Sequence, residues 1–232
     1  VEVGELSLDD RTSMFDLLEA SFLGVDREGF EADLAAKTAV VLLRDQADLV
    51  GFSTFSLVPE IDLRGRPASV MCSGDTIVHP AHWGSSALGR TLILAAVELH
   101  AASGRDGLWW LLITSGPRTW GVLPTFFQAF EPMPGAASDS ALATWLDRLC
   151  RSRWPGRVDA DGIVRLANPQ RLRPPLDAVP RSRRDDSGVR WYDLRNPRWR
   201  EGDELPSLVR IEAGNLTRAG RRYLGTSLEH PG

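Results

Sequence analysis

The chain is poor in the residues that build stapled, thiolate-bound or lysine-dependent proteins. Its two cysteines, Cys72 and Cys150, are too few and too far apart for a disulfide framework or a metal site. Each reads as a small buried hydrophobe, as expected in a reducing, cytoplasmic compartment. The single lysine, Lys37, follows no glycine-rich turn, which excludes a P-loop and leaves lysine no part as catalytic base or Schiff-base former. A net charge of −4 gives no reason to expect a polyanion, so nucleic acid is not an expected partner. No N-terminal signal pattern and no apolar run of membrane length appears, and no membrane partner is expected. Internal repeats and a clean linker are also missing. The 232 residues therefore suit one domain over 1–232, with a core at about 3–132 and a C-terminal elaboration at about 139–232.

What is present is organised around Val70 to Gly104. It reads as a strand, a turn at Pro80, a small-residue loop and a long helix. Strict alternation puts Val70, Cys72, Thr76 and Val78 on one strand face and Asp75, Ile77 and His79 on the other. Leu88, Leu92, Ala95, Ala96 and Leu99 then recur at helical spacing, and Gly104 supplies the stop. A strand entering a helix through Gly84, Ser85, Ser86 and Gly89 aims free N–H groups at one place, which attracts anions and above all phosphate. Many such units bind nothing, and the loop lacks the dinucleotide spacing G-x-G-x-x-G.

Around this centre, Val3 to Leu6 reads as a strand, followed by a helix capped by Asp9 or Asp10 and a second capped by Asp26. Thr38 to Arg44 and Leu49 to Val58 form a hairpin by their spacing. Leu108 to Thr114 is a nearly continuous apolar run, as in a strand covered on both faces. Pro124 opens a short helix over TFFQAF, and Asp139 or Ser140 caps another that runs to about Arg151. Ile163 to Leu166, Val189 to Leu194 and Leu208 to Glu212 read as strands. Residues 168–187 read as an arginine-rich surface loop, and Asn215 as the cap of a terminal helix.

This element order, with Val78-His79-Pro80 ending the strand, HWGSSALGRTL in the loop and Phe126-Phe127-Gln128-Ala129-Phe130 after the apolar strand, resembles the GNAT superfamily of N-acetyltransferases. The resemblance covers roughly residues 3 to 132. Trp83 stands where that family has Arg or Gln, Ser86 where its first motif glycine is expected, and Phe127 where many members carry a tyrosine that protonates the departing thiolate. The resemblance implies an α/β fold with a mixed, mostly antiparallel central sheet, splayed middle strands and flanking helices.

It also implies an acyltransferase using acetyl-CoA or another acyl-CoA, with a small-molecule amine as acceptor attacking directly. Cofactor-binding positions carried over are Ile77, Val78, His79, Trp83, Gly84, Ser85, Ser86, Ala87, Leu88, Gly89, Arg90 and Phe127. Main-chain groups of Ile77 and His79 would face the pantetheine arm, and an N–H at Ile77 or Val78 would polarise the thioester carbonyl. Catalytic candidates are Asp75, His79 and Ser115. Asp75 is the one carboxylate of the central strand, either a general base or a carboxylate bonded to a neighbouring element. His79 and His82 flank the loop, where a histidine packs, meets phosphate or acts as base. Asp75 and His79 lie about 13 Å apart along an ideal strand and are no touching pair. Arg118 can hold an anion or a surface carboxylate. No metal is expected. A binding or scaffold protein without acyl transfer, a carrier-protein acyl donor and a homodimer stay open.

Overall fold

The computed structural model describes residues 1–85, 87–179, 183 and 185–229, the last five by backbone alone. Five strands form the main sheet: β2 (Ala39–Asp45), β3 (Asp48–Ile61), β4 (Pro67–Val78), β5 (Gly107–Thr114) and β7 (Leu205–Arg210), side by side in that order. All neighbours are antiparallel except β4 and β5, which are parallel because helix α3 (Ala87–Ala101) crosses over between them. A second, two-stranded ladder pairs β1 (Phe22–Leu23) with β6 (Arg171–Leu172).

Helices cover both faces. On one lie α3, α5 (Val122–Phe126), α7 (Ser187–Arg195) and α8 (Arg218–Glu229), packed on Val41, Phe55, Met71, Trp110, Leu112 and Val209. The other face is divided. Helices α1 (Leu8–Ser21) and α2 (Arg27–Ala35) cover Val40, Phe52 and Ile77, while α6 (Ser140–Arg153) covers Val70, Cys72, Leu111 and Leu208. Strand β5 is buried on both faces, which is why LWWLLIT carries no polar alternation. Each of its large side chains contributes about 1.5–3 kcal/mol by leaving water.

The ladder between β4 and β5 runs only from Ala68–Gly107 to Cys72–Leu111. Beyond that pair β4 continues six residues to Val78 and β5 three to Thr114 without pairing, so the two central strands part. The splay implied by the sequence resemblance is present.

A β-bulge on β4 lies at the parting point. Ser53 pairs with Thr76 and Phe55 with Ser73, leaving Gly74 and Asp75 both opposite Thr54. The extra residue reverses the alternation. Val70 and Cys72 face α6, but Val78 faces α3 with Met71, and Ile77 faces α1 and α2. The single shared face expected for Val70, Cys72, Thr76 and Val78 is therefore corrected, because strict period-two reading cannot survive an inserted residue.

Other expectations change for local reasons. Val3–Glu5 is a 3-10 turn, and Ser7, not Asp9 or Asp10, caps α1, in a capping box with Asp10. Val189 to Leu194 is helical within α7. Asp186 caps it through Gly188 and Val189, and Val189 and Tyr192 bury one helical face. Ile163 to Leu166 makes only isolated bridges. The TFFQAF helix ends at Phe126, and Phe127 is extended. Asn215 is spent on Ala129 and the Arg210 carbonyl, so Thr217 receives the Gly220 N–H at the start of α8.

Candidate functional site

The parted strands open on a cavity of about 300 Å³ beneath the start of α3. Thr76, Ile77 and Val78 of β4 form one wall, and Trp110, Leu112 and Ser115 of β5 and its exit form another. Leu88 and Gly89, in the first turn of α3, roof it, and Leu92, one turn on, lies deeper. The fourth side is closed by Leu172, Leu176, Val179, Val189 and Trp199, all from the C-terminal elaboration. That region thus builds the site as well as supplying β7.

Which backbone groups face the gap follows from the β3–β4 ladder. The His79 N–H donates to the Val50 carbonyl at 2.8 Å, and the Ile77 carbonyl lies against Gly51. His79 and Ile77 are therefore turned to β3, and Thr76 and Val78 are turned to the gap. This corrects the assignment of Ile77 and His79 as the arm-facing pair; a strand presents alternate residues to each neighbour, and the bulge sets which. The Val78 carbonyl accepts the Trp83 indole N–H at 2.8 Å, which leaves the Val78 N–H and both Thr76 groups toward the opening.

At the rim, Gly84 takes φ +97°, a conformation that glycine adopts without strain. Ser85 Oγ receives the Ala87 N–H at 3.2 Å. Among the described residues, no bond occupies the N–H groups of Gly84, Leu88 or Gly89. With the positive end of α3 they make an anion-attracting rim. Arg118, at the start of α4 (Pro117–Trp120), reinforces it; its guanidinium lies 3.3 Å from the Trp83 ring centroid. Burial and the nearby Arg183 charge both push the Arg118 pKa down, so two guanidiniums converge on one mouth.

Of the residues singled out from sequence, Ile77, Val78, Trp83, Gly84, Ser85, Leu88, Gly89 and Ser115 line the cavity. Ser86 lies outside the described residues. Ala87 and Arg90 sit on α3 away from the cavity lining. His79 is exposed, with its Nδ1 accepting the Ala81 N–H, and it is not in the cavity wall. His82 lines it, 4.0 Å from Asp45. Phe127 is 1 % exposed and packs edge-on to Trp110, away from the cavity lining, because the chain leaves helical geometry just before it. Tyr192, which could have replaced the missing tyrosine, donates its hydroxyl to the Thr114 carbonyl at 2.6 Å within the core.

Asp75 belongs to the opposite face. Burial, then the Asp33 charge, raise its pKa to about 6, with Lys37 opposing. Both charges come from the α2 side, so the carboxyl is on the face away from α3. Lys37 Nζ bonds Asp33 at 2.7 Å, and no described residue hydrogen-bonds the Asp75 carboxyl. The Thr54 hydroxyl beside the bulge is buried without a partner.

Sequence reasoning missed Glu204. Its backbone exchanges two hydrogen bonds of 2.9 Å with Val164, and it immediately precedes Leu205, the partner of Thr114 at the end of β5. Burial, with the Asp75 charge added, pushes its pKa up to about 8. The carboxyls of Asp75 and Glu204 are thus both poorly solvated, and the charge of the first acts on the second. No spacing rule links positions 75 and 204; the pairing of β7 with β5 brings Glu204 within reach of the Asp75 charge.

No protein-family model matches the chain, and no curated protein sequence does. Solved structures do. A protein of Enterococcus faecalis described as a probable N-acyltransferase aligns at 14 % identity over 54 % of this chain and 31 % of its own, with a TM-score of 0.38. An acetyltransferase of Desulfovibrio desulfuricans, provisionally assigned to the GNAT family, aligns at 16 % identity over 54 % of this chain and 84 % of its own, with a TM-score of 0.39. A third, from Salmonella typhimurium, provisionally an acetyltransferase and solved with acetyl-CoA, aligns at 18 % identity over 55 % and 82 %, with a TM-score of 0.34. All three scores fall below 0.5, so the strand order, the parted β4 and β5 and the cavity carry the weight here. Of these three similar structures, one is provisionally assigned to the GNAT family, and the other two are described as a probable N-acyltransferase and, provisionally, an acetyltransferase.

Proposed function

We propose that the protein transfers an acyl group from a CoA thioester to the amine of a small molecule, the thioester lying in the gap between β4 and β5. The carrying observation is that gap, with unpaired main-chain groups of Thr76 and Val78 on one strand and a cavity leading to the start of α3. An extended arm can add to β4 there as a strand would. The Val78 N–H is placed to polarise the thioester carbonyl and to stabilise the oxyanion formed on attack. The α3 amides, Arg118 and Arg183 offer the positive charge a pyrophosphate requires.

Asp75 suits the acid–base role. A carboxyl with a pKa near 6 is largely ionised at neutral pH, yet basic enough to accept a proton from an ammonium group. It lies on the face opposite the cavity, so donor and acceptor enter from different sides and meet in the gap. Direct attack then requires no enzyme nucleophile; Cys72 is buried and its thiol pKa raised, which disfavours the thiolate. Ser115, in the cavity wall, would offer its hydroxyl as a hydrogen-bond donor to the leaving sulfur, whose proton is that released by the attacking amine and passed on through solvent.

A non-transferring binding protein is favoured by one feature, the Trp83 indole already bonded to the Val78 carbonyl. Thermal unfolding with acetyl-CoA or desulfo-CoA, followed by thiol release with a panel of amines, separates the two. A shift in Tm with thiol release supports transfer; a shift without release for any amine supports binding alone. No shift at millimolar ligand removes both readings.

A further inference from the structure

The cavity has two unlike ends. Its rim is exposed and polar, with Gly84, Ser85 and Arg118 beside Trp83. Its floor is formed by Leu92, Trp110 and Trp199, which are 1, 2 and 3 % exposed. Trp110 pairs with Met71, one step before the last β4–β5 pair, Cys72–Leu111. The floor therefore extends under the closed part of the sheet, beyond where a thioester held by Thr76 and Val78 would lie.

Among the described residues that form it, the floor has no polar partner to offer. The Trp110 indole N–H is taken by Ser73 Oγ at 3.0 Å, and the Trp199 indole N–H by Asp193 at 2.8 Å. The amides of a pantetheine arm would lose their hydrogen bonds there, which disfavours that occupant. An acetyl group would end at the gap and leave the floor unfilled. A hydrocarbon chain loses nothing by entering it.

Resting on the acyl-transfer reading, we propose that the floor receives the tail of the donor's acyl group, and that the preferred donor is an aliphatic acyl-CoA longer than acetyl. The residues that set chain length are Leu92 of α3, Trp110 of β5, and Val189 and Trp199 of the C-terminal elaboration. The elaboration acts as the wall against which the chain is measured.

The test is calorimetric titration of the full chain with acetyl-, butanoyl-, hexanoyl-, octanoyl- and palmitoyl-CoA without acceptor. Affinity is expected to tighten about fourfold per added methylene until the floor is full, and to fall for palmitoyl-CoA. Val189→Phe narrows the floor and is expected to cut the preference for octanoyl- over acetyl-CoA at least tenfold. The wild-type series stands alone if that variant does not fold. Equal affinity for acetyl- and octanoyl-CoA, or an unmoved preference in folded Val189→Phe, overturns the proposal and leaves acyl transfer standing. Failure of every CoA ester to bind overturns both.

Discussion

The Arg118 guanidinium lies 3.3 Å from the Trp83 ring centroid, while the indole N–H of the same tryptophan holds the Val78 carbonyl at 2.8 Å. One side chain thus ties the end of β4 to the segment that follows β5, across the mouth of the gap. Cation–π contact of a partly desolvated guanidinium contributes about 1–2 kcal/mol, enough to hold the mouth yet weak enough to yield to a ligand. Arg118→Ala is expected to weaken acetyl-CoA binding about tenfold, through loss of a charge-assisted contact. It should also flatten the dependence of Kd on salt. Titration at low and high ionic strength reads both, and an unchanged salt slope would place the phosphates elsewhere.

Asp75→Asn is expected to lower kcat by roughly 10²-fold or more, the usual worth of a positioned base, while changing acyl-CoA affinity less than twofold. The wild-type rate should rise with pH through the Asp75 value of about 6 as the carboxylate forms, and the variant should lack that limb. Pre-steady-state rates against pH decide it; equal activity in the variant excludes Asp75 from proton transfer.

Glu204 makes stability depend on pH in an unusual direction. Its folded pKa of about 8 exceeds the ordinary 4.5, so between those values the folded protein holds more protons than the unfolded chain. Stability from this group is complete below that window and is lost as pH rises through it. Glu204→Gln should therefore change little at pH 5 and stabilise by about 1–3 kcal/mol at pH 9, the order expected when a buried charge is removed. Urea unfolding at the two pH values checks the sign. Greater destabilisation of the variant at pH 9 would show the carboxylate to be paired.

Two glycines separate fold from site. A Cβ at Gly74 would come within 2.8 Å of Lys37 Cε and 2.5 Å of Thr54 Oγ1. Gly74→Ala should cost about 1–3 kcal/mol by overpacking the bulge. At Gly89, within α3, the nearest atom is Val122 Cγ2 at 3.7 Å. Gly89→Ala should instead stabilise by about 0.5–1 kcal/mol through helix propensity, while weakening acyl-CoA binding at the cavity roof. Thermal unfolding with and without acetyl-CoA separates the effects, and unchanged binding in Gly89→Ala would place the donor away from α3.

Local pattern determined a good part of this architecture. The hairpin of β2 and β3, the doubly buried β5, α3 with its glycine-rich entry, and the Asp26 and Asp139 caps all follow from spacing and side-chain chemistry within a few residues. The resemblance carried by Val78-His79-Pro80 and the loop after it implied the parted strands. Asp75 was legible as the central strand's carboxylate, and Gly84, Ser85 and Gly89 as residues of the loop and helix start that the cavity opens against.

The tertiary structure decided the rest, because those features depend on partners distant in the chain. Only pairing with β3 shows that Gly74 and Asp75 share one opposite residue, which reverses the faces of β4 and turns Thr76 and Val78, rather than Ile77 and His79, to the gap. Val189 to Leu194 alternates like a strand, but the Asp186 cap and the burial of Val189 and Tyr192 make it a helix. Glu204 feels the charge of Asp75 only because β7 returns beside β5, and the cavity has a fourth wall only because Leu172, Leu176, Val179, Val189 and Trp199 lie against it. A local pattern can specify which residues want burial or a charged partner, but the register of strands far apart in sequence determines which of them meet.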